Sequence, residues 1–446
     1  MAVGNDVPAP ADRRSRSDIR RPDTQRLDPD QPTDRQPAVR LPEQPRPSTE
    51  NDQPGPPVKN LPVKSSPASK KTASRKKRRG PLVALMVLVA AAVVLGGAVV
   101  LYKSNFGAPD YDGPGQGDVI VRIKAGDTTR NIGEQLVADG VVRSDRAFTR
   151  AAADESRIRS VQPGYYRMRL RMSGDSAVGL LMSPSTRVGQ LDIRGGLQLD
   201  DTQGPNGTVS PGVLSLISKA TCTELNGGST CVSTSKLRSA MATTAPDQLG
   251  VPDWAITQVT KADPNRRLEG LIAPGRYDVR PGAPPQEILR NLVTSSVNQY
   301  TADGLVNLGG GGKFSPYELL TIASLVEREG IAPDFGKISQ VIYNRLADRV
   351  RLEFDSTVNY TLDRQLVRTS DADRARQGPY NSYVNYGLPP TPIGAPGRQA
   401  IEATLNPEPG PWMFFVRCQK SGVSCFSNTL SQHIQAVGAA KAAGAF

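Results

Sequence analysis

The longest apolar stretch of the chain covers residues 81–102 and contains no charged side chain. At about 1.5 Å of rise per residue, roughly 20 such residues cross a hydrocarbon core about 30 Å thick. A core helix seldom runs this far without a polar face, and a cleaved signal peptide has a shorter apolar region with a small-residue cleavage site. The pattern therefore predicts a single transmembrane helix.

The segment before this span, residues 1–80, lacks Phe, Tyr and Trp and contains 14 prolines. Such a composition cannot bury enough apolar surface to offset the entropy of ordering, so a disordered tail is predicted. A basic run at residues 75–79 directly precedes the span. By the positive-inside rule, the tail is expected in the cytoplasm and residues 103–446 on the other side of the membrane. Residues 103–117, rich in Gly and Pro, are predicted to be a linker.

The formal net charge of +12 is concentrated in this tail, where 18 Lys and Arg stand against 10 Asp and Glu. The tail therefore carries +8 and the other 366 residues only about +4. A nucleic-acid-binding protein is expected to place its excess charge on a folded surface that also bears aromatic side chains. Because most of the charge lies in a segment that cannot fold, nucleic acid is not an expected partner.

Short periodic segments follow the linker and predict both strands and helices. Alternating apolar residues in 119–123 and 166–172 predict two strands, and Asp127 and Ser144 are predicted N-caps of two helices between them. This strand–helix–helix–strand order over residues 118–185 resembles a LysM-like module. LysM modules bind glycans that contain N-acetylglucosamine, so the resemblance implies contact with a cell wall.

A strand followed by a helix is predicted twice, once after Pro163-Gly164-Tyr165-Tyr166 and once after Pro274-Gly275-Arg276-Tyr277. Two copies are too few for a solenoid, in which many such units stack. Strands and helices are therefore expected to mix without a long repeat, and the predicted fold class is α+β. The stretch 196–260, rich in Gly, Ser and Thr, carries little pattern.

The four cysteines form two close pairs, Cys222 with Cys231 and Cys418 with Cys425, all beyond the apolar span. A zinc site is the alternative, but neither pair has the C-x-x-C spacing, so no metal is predicted. Two local disulfides in an oxidising compartment are expected instead. Two short strands around the second pair are expected to form a hairpin in which Cys418 and Cys425 face each other.

Ser315-Pro316-Tyr317-Glu318 is a capping box with proline at the first helical position, and it predicts a helix that runs to about Glu329. One apolar stripe of this helix consists of Leu319, Ile322, Ala323 and Val326. Glu327 lies beside the stripe and Glu329 about 160° away around the helix, so the two carboxylates are not expected to share one small site. Arg328, between them, is expected to point to solvent.

Six sequence blocks occur in order from this helix onward: LTIASLVEREG, ISQVIYNRL, RLEFDSTVNY, YNSYVNYGLPPTPIGAPG, IEATLNPEPGPWMFFV and CFSNTLSQH. As an ordered set they closely resemble the endolytic murein transglycosylases, the MltG or YceG-like family. The matching blocks cover residues 315–433, and LEGLIAPGRYDV at 268–279 extends a weaker similarity back to residue 118. The chain departs from the family pattern in its long tail, its four cysteines and the stretch 196–260.

The resemblance implies that residues 186–446 form a YceG-like catalytic domain and that the chain is a lyase, a peptidoglycan lytic transglycosylase at the bacterial cytoplasmic membrane. It assigns the catalytic acid/base to Glu327 and no catalytic role to Glu329. Glu327 would protonate the glycosidic oxygen that leaves N-acetylmuramic acid and then accept the proton of that sugar's C6 hydroxyl, leaving a 1,6-anhydro end. Because this nucleophile is intramolecular, a second carboxylate is not required.

Short polar side chains in the matching blocks are suited to hydrogen-bonding sugar hydroxyl and N-acetyl groups: Asp355, Thr357, Asn381, Tyr383 and Asn428. Tyr383 and Tyr386 have rings that can stack on a sugar face. The alternative is that these residues only hold loops. Pro396-Gly397 is expected to shape a loop without taking part in the chemistry, and the role of His433 stays open.

The expected partners are peptidoglycan glycan strands, whose length the enzyme would limit, and penicillin-binding synthases; no cofactor is expected. The glycine run before Lys313 does not match a phosphate-binding loop, because Phe314 follows the lysine. Two alternative functions stay open: a non-catalytic peptidoglycan-binding scaffold of the wall-synthesis machinery, and a muramidase with Asp355 as a second carboxylate. A Ser-His-Asp hydrolase is not favoured, since no G-x-S-x-G motif occurs.

Overall fold

The structure is a computed structural model that describes residues 80–106, 108–306, 312–362, 364–366 and 369–445. Helix α1 spans Gly80–Phe106 and so includes the predicted apolar span; its side chains are described over residues 85–98. Across the side chains described, no helix is both long enough and apolar enough to cross a membrane. The predicted disordered tail, up to residue 79, and residues 307–311, which include the first three glycines of the glycine run, lie outside the described residues.

Residues 116–188 form a three-stranded antiparallel sheet with helices packed on one face. Its elements are β1 (Gln116–Ile123), α2 (Thr129–Ala138), α3 (Asp145–Ala153), β2 (Gly164–Leu170), α4 (Gly174–Leu181) and β3 (Arg187–Val188). Val121 and Ile123 of β1 and Tyr166 and Met168 of β2 point into a shared core with Phe148 of α3. The predicted strand–helix–helix–strand order is therefore present, and alternation along the strands reflects one buried face.

The starts of α2 and α3 can be compared with the predicted N-caps. Helix α2 begins one residue later than predicted, and α3 begins at the predicted residue. Thr128 caps α2 by accepting the Asn131 amide, whereas Asp127 accepts the Lys124 amide in the preceding turn. The prediction of Asp127 as the cap is therefore wrong by one position, because its carboxylate closes the turn that leads into the helix. Ser144 caps α3 as predicted.

The middle of the chain builds a second core around a two-stranded sheet in which β4 pairs with β9. Its elements are β4 (Gln190–Ile193), β5 (Thr202–Gln203), β6 (Val209–Ser210), α5 (Val213–Thr221), β7 (Glu224–Leu225), β8 (Gly228–Ser229), α6 (Thr234–Thr243), α7 (Asp253–Lys261), β9 (Gly275–Asp278) and α8 (Pro285–Ala302). Strand β9 and helix α8 are the second predicted strand–helix unit. Ile288, Leu289 and Leu292 of α8 are buried in this core.

The last part of the chain is mainly helical. Its elements are α9 (Pro316–Glu329), α10 (Phe335–Ala347), α11 (Asp355–Asn359), α12 (Asp371–Ala375), α13 (Arg398–Leu405), β10 (Phe414–Arg417), β11 (Ser424–Ser427) and α14 (Leu430–Ala442). Strands β10 and β11 pair as an antiparallel hairpin. Helices and antiparallel strands alternate along the chain, so the predicted α+β class is correct.

Both predicted cysteine pairs are joined in the structure. The Cys222–Cys231 disulfide closes the base of the β7–β8 hairpin, and Cys418–Cys425 bridges the β10–β11 hairpin. Cys425 lies within β11 and Cys418 directly follows β10, as expected for two strands that meet at a short turn. Each bridge closes a short loop, so it restricts one hairpin and leaves the distant parts of the chain unconstrained.

Helix α9 lies between two hydrophobic clusters. Tyr317, Leu320 and Ala323 belong to the middle core, whereas Ile322 and Val326 belong to the core of the last part of the chain. The predicted capping box at the start of the helix is formed. The stripe of Leu319, Ile322, Ala323 and Val326 is buried as predicted. The opposite side is buried too: every residue from Leu319 to Val326 is buried, because the helix is shared by two cores, and Glu318 in the first turn is exposed.

Candidate active site

Glu327 lies in the last turn of α9, where two glycine-containing segments meet it. The first segment, residues 194–197, directly follows β4, and the second, residues 395–397, directly precedes α13. The segments are joined by two backbone hydrogen bonds, from Gly196 N to the Ala395 oxygen at 2.8 Å and from Ala395 N to the Leu197 oxygen at 2.8 Å. They form a continuous backbone wall beside the partly buried Glu327 side chain.

Each oxygen of the Glu327 carboxyl group faces one of these glycines. Gly397 N donates a hydrogen bond to Oε2 at 3.0 Å. A β-carbon on Gly195 would overlap Oε1 and lie 2.9 Å from the carboxyl carbon, although its backbone is not left-handed. Only the carboxyl group therefore excludes a side chain at Gly195. Oε1 makes no hydrogen bond with any described residue.

The pKa of Glu327 is raised above its ordinary range. Burial is the largest cause, because it disfavours the charged form. The Gly397 amide and the charge of Arg328 act in the opposite direction and limit the rise. The group is therefore easier to protonate near neutral pH than an exposed glutamate, as a general acid requires.

Arg328 was predicted to point to solvent, but its side chain is turned toward the segment after β4. Its Nη1 donates to the Gly196 oxygen at 3.1 Å, and burial lowers its pKa. The prediction fails because it treated α9 as a surface helix, whereas the segment after β4 covers its last turn. Arg328 thereby ties α9 to the wall that faces Glu327.

Glu329 faces away from this wall, toward α11. Burial raises its pKa to about 7, and the nearby charge of Asp355 adds to the rise. Its Oε1 is buried and accepts no hydrogen bond from the residues that the structure describes. Glu329 and Glu327 thus lie among different elements, as expected from their angular separation on the helix.

Asp355 begins α11 and is held by three side chains. Its Oδ1 accepts hydrogen bonds from the Tyr383 hydroxyl at 2.6 Å and the Thr369 hydroxyl at 2.5 Å. Arg374 Nε lies 3.4 Å from the same oxygen. Burial raises the pKa of Asp355, but these bonds and the Arg374 charge outweigh it and hold the pKa below its usual range. Asp355 is therefore an ionised anchor for the segment 369–383.

Thr357 and Asn381, two other predicted substrate contacts, have internal partners. Thr357 is fully buried, and its hydroxyl donates to the Phe354 oxygen at 2.6 Å. The Asn381 amide nitrogen donates to the backbone oxygens of residues 374 and 376 at 2.9 and 2.7 Å. These contacts hold loops in place, which is the alternative role considered from the sequence. As substrate contacts the two residues stay predictions.

The remaining predicted residues lie at the surface or against the last hairpin. Asn428 is exposed at the start of α14, where its backbone N–H donates to Gln432 Oε1 at 3.0 Å. Tyr386 is 65% exposed and has the Arg351 guanidinium 4.7 Å from its ring centroid, which leaves its other face open to a ligand. His433 stacks on Phe414 at 5.3 Å. This stacking gives His433 a packing role between α14 and β10.

Gly195 was not among the predicted site residues, and Gly397 was predicted to shape a loop without taking part in the chemistry. The Gly397 amide donates to the Glu327 carboxyl group, a contact that was not predicted. A signal for Gly397 existed, since it directly precedes a helical segment, where backbone N–H groups are free to bind an anion. Gly195 could not be found in this way, because its function is to leave space for a side chain 132 positions away.

Three comparisons bear on this site. A family model described as the YceG-like family matches residues 121–439. An endolytic murein transglycosylase of Bacillus subtilis (strain 168) is 28% identical over 351 residues, which cover 77% of this chain and 90% of the relative. One from Streptococcus pneumoniae serotype 2 (strain D39 / NCTC 7466) is 29% identical over 177 residues, 37% of this chain and 31% of the relative. A crystal structure of a yceG-like protein from Listeria monocytogenes has 24% identity and a TM-score of 0.45, covering 72% of this chain and 99% of that one.

Proposed function

Because the chain belongs to the YceG-like family, we propose that it is an endolytic murein transglycosylase, a lyase that cuts within peptidoglycan glycan strands. The bond cleaved is that between N-acetylmuramic acid and N-acetylglucosamine, and the product ends in 1,6-anhydro-N-acetylmuramic acid. One observation carries the proposal: a partly buried glutamate with a raised pKa and one oxygen free of hydrogen bonds among the described residues. Its proposed role is to limit the length of new strands.

Glu327 serves as acid and then as base in this reaction. Because Gly397 N–H donates to Oε2, the proton of the acid form belongs on Oε1, the oxygen that faces Gly195. Oε1 gives this proton to the glycosidic oxygen as its bond to C1 breaks. The carboxylate then accepts the proton of the C6 hydroxyl while the C6 oxygen bonds to C1. The carboxyl group ends protonated, as it began, so one residue completes the cycle.

A single carboxyl group is sufficient because the nucleophile belongs to the substrate. An intramolecular hydroxyl acts at a high effective concentration, so no residue must hold and activate water. A muramidase would require a second carboxylate across the bond. Asp355, the residue considered for that role, already accepts bonds from Thr369 and Tyr383 and is close to Arg374. These contacts favour the transglycosylase over the muramidase.

We also propose that α1 anchors the chain in the cytoplasmic membrane as a single span, with the basic tail inside and the catalytic domain outside. The support is the uncharged span at 81–102, the basic run at 75–79 before it, and the two disulfides beyond it. A reporter that is active only in the cytoplasm, fused after Phe446, should be silent. An active reporter would contradict this orientation.

Two finer assignments complete the proposal. Residues 118–185 form a LysM-like module that binds the glycan, a proposal supported by the strand–helix–helix–strand order of this unit. Asp355, Thr357, Asn381, Tyr383 and Asn428 line or support the substrate site. The strands are received from penicillin-binding synthases, because an enzyme that limits strand length has to act where strands are made.

The experiment that tests the function is digestion of purified glycan strands by the full-length chain in detergent, followed by mass measurement of the fragments. Anhydro ends, lighter by one water than hydrolysis products, are expected. Reducing ends would favour the muramidase. Strands left uncut by a well-folded protein that still binds them would favour the scaffold.

A further inference from the structure

An exposed arginine is the chain neighbour of each of the two glycines that contact the Glu327 carboxyl group. Gly195, whose position is limited by Oε1, follows Arg194 in the chain, and Gly397, which donates to Oε2, precedes Arg398. Both arginine side chains are exposed. Each of the two segments that form the wall therefore has an arginine next in the chain to the glycine that contacts the carboxyl group. We call Arg194 and Arg398 the arginine rim.

The two arginines of the rim have little internal compensation. Arg194 forms no ion pair within 4.0 Å with any residue that the structure describes. Arg398 Nε lies 3.2 Å from Asp303 Oδ1, and its side chain is 75% exposed while that of Asp303 is 8% exposed. Asp303 thus holds one edge of the guanidinium group and leaves the other edge toward solvent, ready for a second carboxylate.

A neutral ligand would not explain this concentration of positive charge. Asp303 offsets the charge of Arg398, so with Glu327 in its acid form Arg194 and the partly buried Arg328 leave a net positive charge. Sugar hydroxyl and N-acetyl groups are uncharged and gain little from exposed guanidinium groups. A site with excess positive charge attracts anionic ligands and holds carboxylates through paired N–H donors.

We propose that the arginine rim binds carboxylates of the peptides attached to the glycan, and so selects strands with free, uncrosslinked peptides over bare glycan. This inference rests on the proposed function and specifies its substrate class. Peptides joined to another strand have fewer free carboxylates and are held away from the site. The rim is therefore a specificity determinant, since it touches the peptide and leaves proton transfer to Glu327.

The test compares two substrates: uncrosslinked strands that carry their peptides, and the same strands stripped of peptides by an amidase. The full-length chain in detergent is assayed for release of anhydro ends at low and high salt. Wild-type protein should have a higher kcat/KM on peptide-bearing strands, and this preference should shrink as salt screens the charges.

Arg194→Gln and Arg398→Gln should each raise KM for peptide-bearing strands about three- to tenfold with little change in kcat, as loss of a solvent-accessible charge pair implies. The preference between substrates should fall toward one in the double variant. Arg194→Lys keeps the charge and should recover part of the preference, because a single ammonium group replaces the fork of a guanidinium group. Arg290→Gln, an exposed arginine on α8, is the matched control and should keep the wild-type preference.

Three outcomes would overturn the inference. A wild-type protein that cuts both substrates equally well has no peptide selection. Arg194→Gln and Arg398→Gln variants that lose the same factor on both substrates act on the fold or on catalysis. Variants with an unchanged preference show that the rim is only solvated. A wild-type protein that releases anhydro ends from neither substrate contradicts the proposed function itself, a result distinct from these three.

Discussion

Glu327 and Asp355 are the two carboxyl groups that the competing functions would use, and the fold gives them opposite surroundings. Glu327 receives one backbone hydrogen bond, and burial raises its pKa. Asp355 receives side-chain bonds from Thr369 and Tyr383 beside the charge of Arg374, and its pKa is lowered. One group is prepared to hold a proton and release it, whereas the other is prepared to stay charged.

This difference connects the packing of the protein with its chemistry. A general acid needs a proton near neutral pH and an oxygen that is free to face the substrate, and Glu327 has both. A second catalytic carboxylate would need free lone pairs, but Oδ1 of Asp355 accepts two hydrogen bonds that hold the segment 369–383, and Arg374 Nη2 lies 3.5 Å from Oδ2. Hydrogen-bond occupancy therefore separates a catalytic carboxyl group from a structural one more clearly than its position in a motif does.

Replacing the proposed catalytic carboxyl group is the strongest test of this comparison. Glu327→Gln is nearly isosteric, so the protein should fold, but the amide can neither donate nor regain the catalytic proton. The rate of anhydro-end release should fall by more than the 10²–10⁴-fold typical of a single proton transfer, because both half-steps use this group. A folded Glu327→Gln variant with a near wild-type rate would remove the residue from the mechanism.

The pH dependence of the rate should report the raised pKa of Glu327. The reaction begins with the protonated form, so kcat/KM should be high at acidic pH and fall as pH rises through this pKa. Because the base is generated by the reaction itself, the same group adds no loss on the acidic side. The loss of rate should therefore lie above pH 4.5, the ordinary pKa of a glutamate. A rate that increases steadily from pH 5 to pH 8 would contradict the role of Glu327 as the acid.

The two glycines provide a graded test of how closely the walls fit the carboxyl group. Gly195→Ala would overlap Oε1 and should reduce kcat about ten- to a hundredfold, since small misplacements at a reacting group have effects of this size. Gly397→Ala brings its β-carbon to 3.3 Å from Oε2 and should cost only a few-fold. Gly179→Ala in α4, with no atom within 4 Å of the new carbon, is the matched control.

Melting temperatures of all three alanine variants show whether the losses come from the site or from the fold. Gly179→Ala should be as stable as wild type or slightly more so, because alanine favours a helix over glycine. Equal activity of Gly195→Ala and Gly179→Ala would mean that the segment 194–197 is not pressed against the carboxyl group during turnover.

The local parts of this site were predictable from the sequence because their causes are local. The capping box at Ser315 fixes the start of α9, and counting along the helix separates Glu327 from Glu329. The alternation in β1 and β2 and the cysteine spacing likewise follow from neighbouring residues. Each of these features is decided within one or two turns of chain.

The rest of the site depends on which distant segments cover α9, and no local pattern records this. Arg328 was expected in solvent because the helix was treated as having one buried face, but Gly196 lies over its last turn. Gly195 lies 132 residues before Glu327 in the chain and Gly397 lies 70 residues after it, yet both contact its carboxyl group. Such contacts follow from tertiary packing, which sets the surroundings of a catalytic group after its identity is fixed.

Asp355→Asn tests the structural side of the comparison. The variant keeps the shape of the side chain but loses the charge that faces Arg374. Its free energy of unfolding at neutral pH should therefore be about 1–3 kcal/mol lower than that of the wild type. Because the folded pKa of Asp355 is lowered, its contribution is present above the unfolded value of about 3.9 and is lost as pH falls through the folded pKa. The two proteins should therefore converge in urea unfolding at low pH.

Activity of the same variant separates the two enzymatic functions. The rate of cleavage by Asp355→Asn should fall less than about tenfold, through looser positioning of the segment 369–383. The products should still have anhydro ends. An inactive but well-folded Asp355→Asn protein would put the paired-carboxylate muramidase ahead of the transglycosylase.

Glu329→Gln should have the smallest effect on activity, within about threefold of wild type, because the residue faces α11 and not the walls around Glu327. Its effect on stability should depend on pH. Burial raises the folded pKa of Glu329 to about 7 from an ordinary 4.5, so the wild-type protein loses stability as pH rises between these values. The amide has no charge to bury, so the variant should be more stable than wild type by about 1–3 kcal/mol at pH 8 and equal to it at pH 4. Urea unfolding at the two pH values measures both differences. A loss of activity as deep as that of Glu327→Gln in a stable protein would mean that both glutamates of the helix take part in the reaction.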